Sequence, residues 1–74
     1  MINCVEIFKT DISQADDAAA IVKLLLQKFP QYKVNFDLDD CDLILRVESF
    51  HQQVDHQRII RLLNTQGHSC TLLT

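Results

Sequence analysis

The apolar residues of this chain change their spacing several times, and the order of those changes constrains the fold more than any motif does. Residues alternate from 3 to 9, whereas apolar residues recur at helical spacing from Gln14 to about Lys28. Two more alternating segments follow, QYKVNFDL and LILRVE, and a second helical segment runs from about Asp55 to Gln66. Alternation indicates strands, and a spacing of three or four indicates amphipathic helices. With a short final strand, HSCTLL, the predicted order is β-α-β-β-α-β.

Residues at the ends of the two helical segments support these boundaries. Ser13 is predicted to cap the first helix, and Pro30 ends it at the preceding residue. Asp55 is the predicted N-cap of the second helix, and Gly67 suits the position just after its last turn.

The two middle strands are predicted to pair as a hairpin that turns around Asp40 and Cys41. In this register, apolar residues lie opposite each other on one face of the hairpin. On the other face, a cation lies opposite an anion and an amide lies opposite a cation. The predicted pairs are Val34–Val47, Phe36–Leu45, Leu38–Leu43, Lys33–Glu48 and Asn35–Arg46.

This order of elements is the split βαβ, or ferredoxin-like, pattern. It predicts a single α+β domain over residues 1–74, since 74 residues suffice for one small domain. The expected sheet is antiparallel and four-stranded, in the order 4-1-3-2, with both helices on one face. Its other face is expected to be open.

Two segments give the chain a resemblance to the heavy-metal-associated (HMA) domains, small copper-chaperone and metal-ATPase modules. IIRLLNTQGHSCTLL resembles their second helix, turn and last strand, and AIVKLLLQKFP resembles the helix after their metal loop. The family's Met-x-Cys-x-x-Cys loop is missing, because Ala15 and Ala18, or Gln14 and Asp17, stand where the cysteines belong. His68 replaces the aromatic residue after the glycine. Since a thiolate pair holds Cu(I) in the family, the resemblance implies the fold without the metal-carrier activity.

The acidic segment FDLDDCDLILRVE partly matches a calcium-binding loop. Asp37, Asp39 and Glu48 occupy three ligand positions, but Asp42 stands where such a loop requires glycine. Because LILRV is also predicted to be a strand, we interpret the segment as a hairpin turn.

Cysteine and histidine offer an alternative hypothesis, a copper or zinc carrier or sensor with the ligands Cys4, Cys41, Cys70 and His68. Strand alternation places Cys4 on the open face, Cys70 on the helix face and Cys41 at the hairpin tip, which scatters the ligands. The main prediction is therefore no metal and no cofactor. His68 is expected beside the loop from Thr10 to Ser13, where no third orienting group is evident, so no enzyme is predicted.

The open face is the strongest candidate for function. Strand alternation predicts that it carries Cys4, Glu6, Phe8, Ile44, Arg46 and Glu48. Phe8 and Ile44 would form an apolar centre inside a charged rim, which is the anatomy of a modest protein interface. We therefore predict a non-enzymatic module that binds a protein partner or forms a homodimer through this face.

Other classes of partner fit the composition poorly. A net charge of −3 with seven scattered Lys and Arg argues against nucleic acid, and no apolar run is long enough to span a membrane. Three cysteines at irregular spacing indicate a reduced, cytoplasmic protein rather than a disulfide framework. A small-molecule regulatory module of ferredoxin-like fold is a further alternative, although the glycine-rich loop expected of it is missing.

Overall fold

A computed structural model describes residues 4–50 and 52–73 of the chain. The order of its elements is β-α-β-β-α-β, as predicted; residue 3, predicted to lie in the first strand, is outside the described residues. The elements are β1 (Cys4–Thr10), α1 (Ala15–Lys28), β2 (Lys33–Asp37), β3 (Ile44–Ser49), α2 (His56–Thr65) and β4 (Cys70–Leu72).

The four strands form one antiparallel sheet in the order β2-β3-β1-β4, which is 4-1-3-2 when counted from the β4 edge. Both helices bury their apolar stripes in the same core as the sheet, with Ile21 and Leu25 of α1 beside Ile59 and Leu63 of α2. The helices therefore cover one face of the sheet. This α+β architecture is compatible with the ferredoxin-like pattern.

The ends of the helices follow the predicted signals with one correction. Gln14, not Ser13, is the N-cap of α1, because Gln14 is extended and its carbonyl accepts the hydrogen bond of Ala18 N–H at 3.0 Å. Asp55 caps α2 as predicted, since its carboxylate accepts from Arg58 N–H at 3.3 Å. Gly67 has a φ of +84°, the left-handed conformation expected just after a helix.

The hairpin register is confirmed at four of the five predicted pairs. The exception is Leu38–Leu43, because the ladder ends at the pair Asp37–Ile44 and residues 38–43 form the turn. Asp40 shapes this turn: its carboxylate accepts from Asp42 N–H at 2.8 Å, and its carbonyl accepts from Leu43 N–H at 2.9 Å. The acidic segment is therefore a turn, as interpreted from the sequence.

Thr10 is a buried polar residue that ties this turn to the first loop. Its hydroxyl donates to the carbonyl of Leu43 at 2.7 Å and accepts from Ile12 N–H at 3.1 Å. Both partners are main-chain groups, so the hydroxyl fixes the end of β1 and both segments beside it. Hydrogen bonding also removes the cost of burying the polar group.

The alternation of β1 is opposite to the prediction. Phe8 pairs with Leu45 and Glu6 pairs with Val47, and both partners lie in the core. Phe8 itself is 0% exposed. Cys4, Glu6 and Phe8 therefore lie on the helix side of the sheet, and their predicted place on the open face is wrong.

The physical reason lies in the size of the side chains of β1. Apolar residues occupy both sides of this strand, with Val5 and Ile7 on one and Phe8 on the other, so alternation alone does not fix its orientation. A phenylalanine ring removes more apolar surface from water than valine or isoleucine does, which favours the core for Phe8 on a central strand.

No helix in the described part of the chain has the length and apolar character needed to cross a membrane.

Candidate functional site

The uncovered side of the sheet, called here the open face, is defined by strand pairs that point away from the helices. On β1, Val5, Ile7 and Lys9 take this side, because they pair with residues of β3 that alternate with the buried Leu45 and Val47. The full set of side chains on the open face is Val5, Ile7, Lys9, Lys33, Asn35, Asp37, Ile44, Arg46, Glu48, Thr71 and Leu73.

An apolar centre lies on this face. Val5 and Leu73 are 37% and 47% exposed, and Ile7 and Ile44 are half-buried. Leu73 N–H donates to the Ile7 carbonyl at 2.8 Å, which holds the end of the chain beside β1. Ile44 lies diagonally across the ladder from Ile7, within reach of its side chain. The sheet therefore presents neighbouring aliphatic side chains that no helix covers.

Charged and polar groups surround this centre. Lys33 lies opposite Glu48, and Asn35 lies opposite Arg46, across the β2–β3 ladder. A shallow depression of about 470 Å³ runs between these groups and the side chains of Ile7 and Ile44. The open face thus carries cations and anions around an apolar middle, in the arrangement typical of a protein interface.

Three of the six predicted partner-face residues lie on the open face, namely Ile44, Arg46 and Glu48. Val5 and Ile7 take the places that were assigned to Cys4, Glu6 and Phe8. The apolar centre therefore exists, but without an aromatic ring. The usable signal in the sequence was the bulk of Phe8, which marks the buried side of β1.

Glu6 and Cys4 lie instead in a depression of about 510 Å³ beside the start of α2. Asp55 and His56 also line it. These residues do not appear together in any cluster of three metal-ligating groups among the described residues.

The four alternative metal ligands do not converge. Cys70 pairs with Thr10, six residues along β1 from Cys4, so the two thiols are separated by roughly 20 Å of strand. Cys41 is exposed in the hairpin turn, and His68 belongs to the segment after α2. Within the described chain, three ligating groups come within 4.8 Å of one another only at Asp40, Cys41 and Asp42.

The carboxylates of this acidic turn already interact with other groups of the protein. The carboxylate of Asp42 lies 3.8 Å from Lys9 Nζ, and the carboxylate of Asp40 accepts a main-chain hydrogen bond. Aspartates commonly fill turns in this way without a metal ion. The geometry is that of a hairpin tip and does not favour a cation site.

His68 lies beside the first loop, as predicted, and its Nδ1 is 3.4 Å from the carboxylate of Asp11. A catalytic arrangement would need a nucleophile joined to this pair. Cys70, two residues on, is a poor candidate, because burial raises the pKa of its thiol from 9.0 to about 11 and keeps it neutral.

The chain matches no family model, no curated protein and no solved structure.

Proposed function

We propose that this protein is a non-enzymatic association module, and that its open face binds a second copy of the chain. The observation that carries the proposal is the aliphatic centre of Val5, Ile7, Ile44 and Leu73 on a sheet face that no helix covers. Apolar side chains left together at a surface gain free energy when a partner removes them from water.

The charges on the open face suit a partner that carries the same surface. Lys33 and Asp37 of β2, like Arg46 and Glu48 of β3, place both signs on one strand. In a two-fold dimer each copy presents the same patch to the other, so a patch with both signs can oppose unlike charges. The face of a four-stranded sheet is small, and we expect weak association with a Kd on the order of micromolar.

The proposal also covers the type of fold. We infer a ferredoxin-like domain of the HMA type that lacks the family's thiolate loop. The positions that align with the missing cysteines, Ala15 with Ala18 or Gln14 with Asp17, contain no thiol. The three cysteines are free, in keeping with a reduced, cytoplasmic setting.

Sedimentation velocity over a range of protein concentrations tests the proposal directly. We expect the wild type to shift from monomer to dimer as concentration rises. Ile7→Lys and Leu73→Lys each place a charge in the apolar centre and should weaken the dimer by about tenfold or more.

Leu26→Lys is the matched control, because Leu26 is 38% exposed on α1 and far from the open face. It should leave the dimer unchanged. A wild type that stays monomeric up to about 1 mM, well above the expected Kd, would contradict the proposal. So would a Leu26→Lys variant that dissociates as readily as Ile7→Lys.

A further inference from the structure

A cleft with three cationic side chains lies on the helix side of the molecule, away from the open face. It has a volume of about 290 Å³ and runs between the last turn of α1 and one side of α2. We call it the basic cleft; it is lined by Lys28, Phe29, Arg58, Arg61, Leu62 and Thr65.

Among the described residues, no acidic side chain lines this cleft. Three of the seven Lys and Arg of a chain with net charge −3 meet here. The ion pairs Lys9–Asp42 and His68–Asp11 lie away from this cleft. Arg58 and Arg61 are three positions apart on α2, so their like charges repel, and a bound anion would relieve that repulsion.

Arg58 is held in place before any ligand arrives. Its guanidinium lies 5.2 Å from the centre of the Phe29 ring, and that ring stacks on Tyr32 at 5.0 Å. Phe29 is buried in the core at the end of α1, which makes it a rigid support. A cation–π contact restricts Arg58 without using its N–H donors, so the donors are available for an oxyanion.

We propose that the basic cleft binds the phosphoryl group of a small phosphate ester. Three cations from two helices can each meet one of the three terminal oxygens of such a group, whereas a carboxylate offers two oxygens and a single charge. The volume is at the lower end for small-molecule sites, which suits a phosphorylated compound of a few carbons. This site is separate from the open face and does not depend on self-association.

Chemical-shift titration of the ¹⁵N-labelled protein tests the proposal, with inorganic phosphate and glycerol phosphate as probes at constant ionic strength. We expect saturable shifts confined to amides near Lys28 and along α2. Arg58→Gln and Arg61→Gln should each weaken binding by about tenfold, the loss expected for one charge-assisted hydrogen bond.

Arg46→Gln is the matched control, because it makes the same charge change on the open face. It should alter affinity less than twofold, a limit set by screening of distant charges at about 0.15 M salt. Arg61→Gln leaves the Arg58–Phe29 contact in place and keeps the test interpretable if Arg58→Gln alters the fold. Non-saturable shifts, an equal effect of Arg46→Gln, or equally tight binding of succinate would each overturn the phosphoryl site.

Discussion

The hydroxyl oxygen of Tyr32 accepts a hydrogen bond from the backbone N–H of Asp55 at 3.0 Å. Tyr32 lies just before β2, and Asp55 is the N-cap of α2, so one side chain joins segments 23 residues apart. The ring of Tyr32 also stacks on Phe29, which ends α1. A single tyrosine therefore sets where the second helix begins relative to the first.

Tyr32→Phe removes this hydrogen bond and keeps the ring. We expect the free energy of unfolding to fall by about 1 kcal/mol, the usual net contribution of one such bond. Urea denaturation followed by circular dichroism measures the change. An unchanged midpoint would mean that water replaces the hydroxyl at Asp55 N–H without cost.

Thr10→Val keeps the shape of a buried side chain but removes a hydroxyl that bonds to Leu43 and Ile12. Two main-chain groups lose a partner, and we expect a loss of about 1–3 kcal/mol in the free energy of unfolding. Thr71→Val is the matched control on the neighbouring strand, where the side chain is exposed. It should change stability by less than about 0.5 kcal/mol. Equal effects of the two substitutions in urea denaturation would contradict this role for Thr10.

Phe8→Ala and Ile7→Ala test the orientation of β1. Phe8 is fully buried, so its truncation should cost about 3–5 kcal/mol. Ile7 lies on the open face, and its truncation should cost less than about 1.5 kcal/mol in the monomer. Thermal unfolding at low protein concentration separates these values from any effect on association.

Phe8→Leu is a milder substitution that keeps the test informative if Phe8→Ala unfolds the protein, because the free energy of unfolding of a 74-residue domain is only about 4–11 kcal/mol. It should be folded and less stable than the wild type. A larger loss of unfolding free energy for Ile7→Ala than for Phe8→Ala would indicate that β1 has the opposite orientation, with Ile7 in the core.

Cys70 gives stability a pH dependence with a definite sign. Burial raises the pKa of its thiol from 9.0 to about 11, so the folded state favours the neutral form. The stabilisation of the folded state by the neutral thiol is complete below pH 9 and is lost as the pH rises towards 11. Between pH 9 and pH 11 the free energy of unfolding should therefore fall less for Cys70→Ala than for the wild type, and the difference should reach up to about 3 kcal/mol.

Urea denaturation at several pH values between 8 and 11 measures this difference. Cys41→Ala is the control, because Cys41 is exposed in the hairpin turn, and its curve should run parallel to that of the wild type. A Cys70→Ala curve parallel to the wild type would show that the buried thiol does not couple to folding.

The β2–β3 hairpin was predictable because its information is local. One register places the apolar pair Val34–Val47 on one face of the hairpin and the oppositely charged pair Lys33–Glu48 on the other, and both pairs are favourable. The residues that pair are also close in sequence. The first strand lacks this property. Its partner β3 lies about 40 residues away, so the only local signal for the buried side of β1 is the bulk of Phe8, and the orientation becomes definite only through the long-range pair Phe8–Leu45.

The basic cleft was invisible in the sequence for a related reason. Lys28 belongs to the end of α1, whereas Arg58 and Arg61 belong to α2, so the three charges are scattered along the chain. Packing of the helices brings them together around Phe29. Charge patterning along the chain can reveal a basic stripe on one helix, but not a cleft made by two.

The two outer strands bear on whether this protein can aggregate. β4 has three residues, which is a short template for a further strand, and β2 carries a charged residue at each end, Lys33 and Asp37. Short edges and edge charges are the devices by which natural sheets resist fibril formation. Association through the broad side of the sheet ends at a closed pair, whereas edge-to-edge addition would continue without limit. The proposed pairing through the open face therefore uses no strand edge, and the short or charged edges of the sheet disfavour fibril growth.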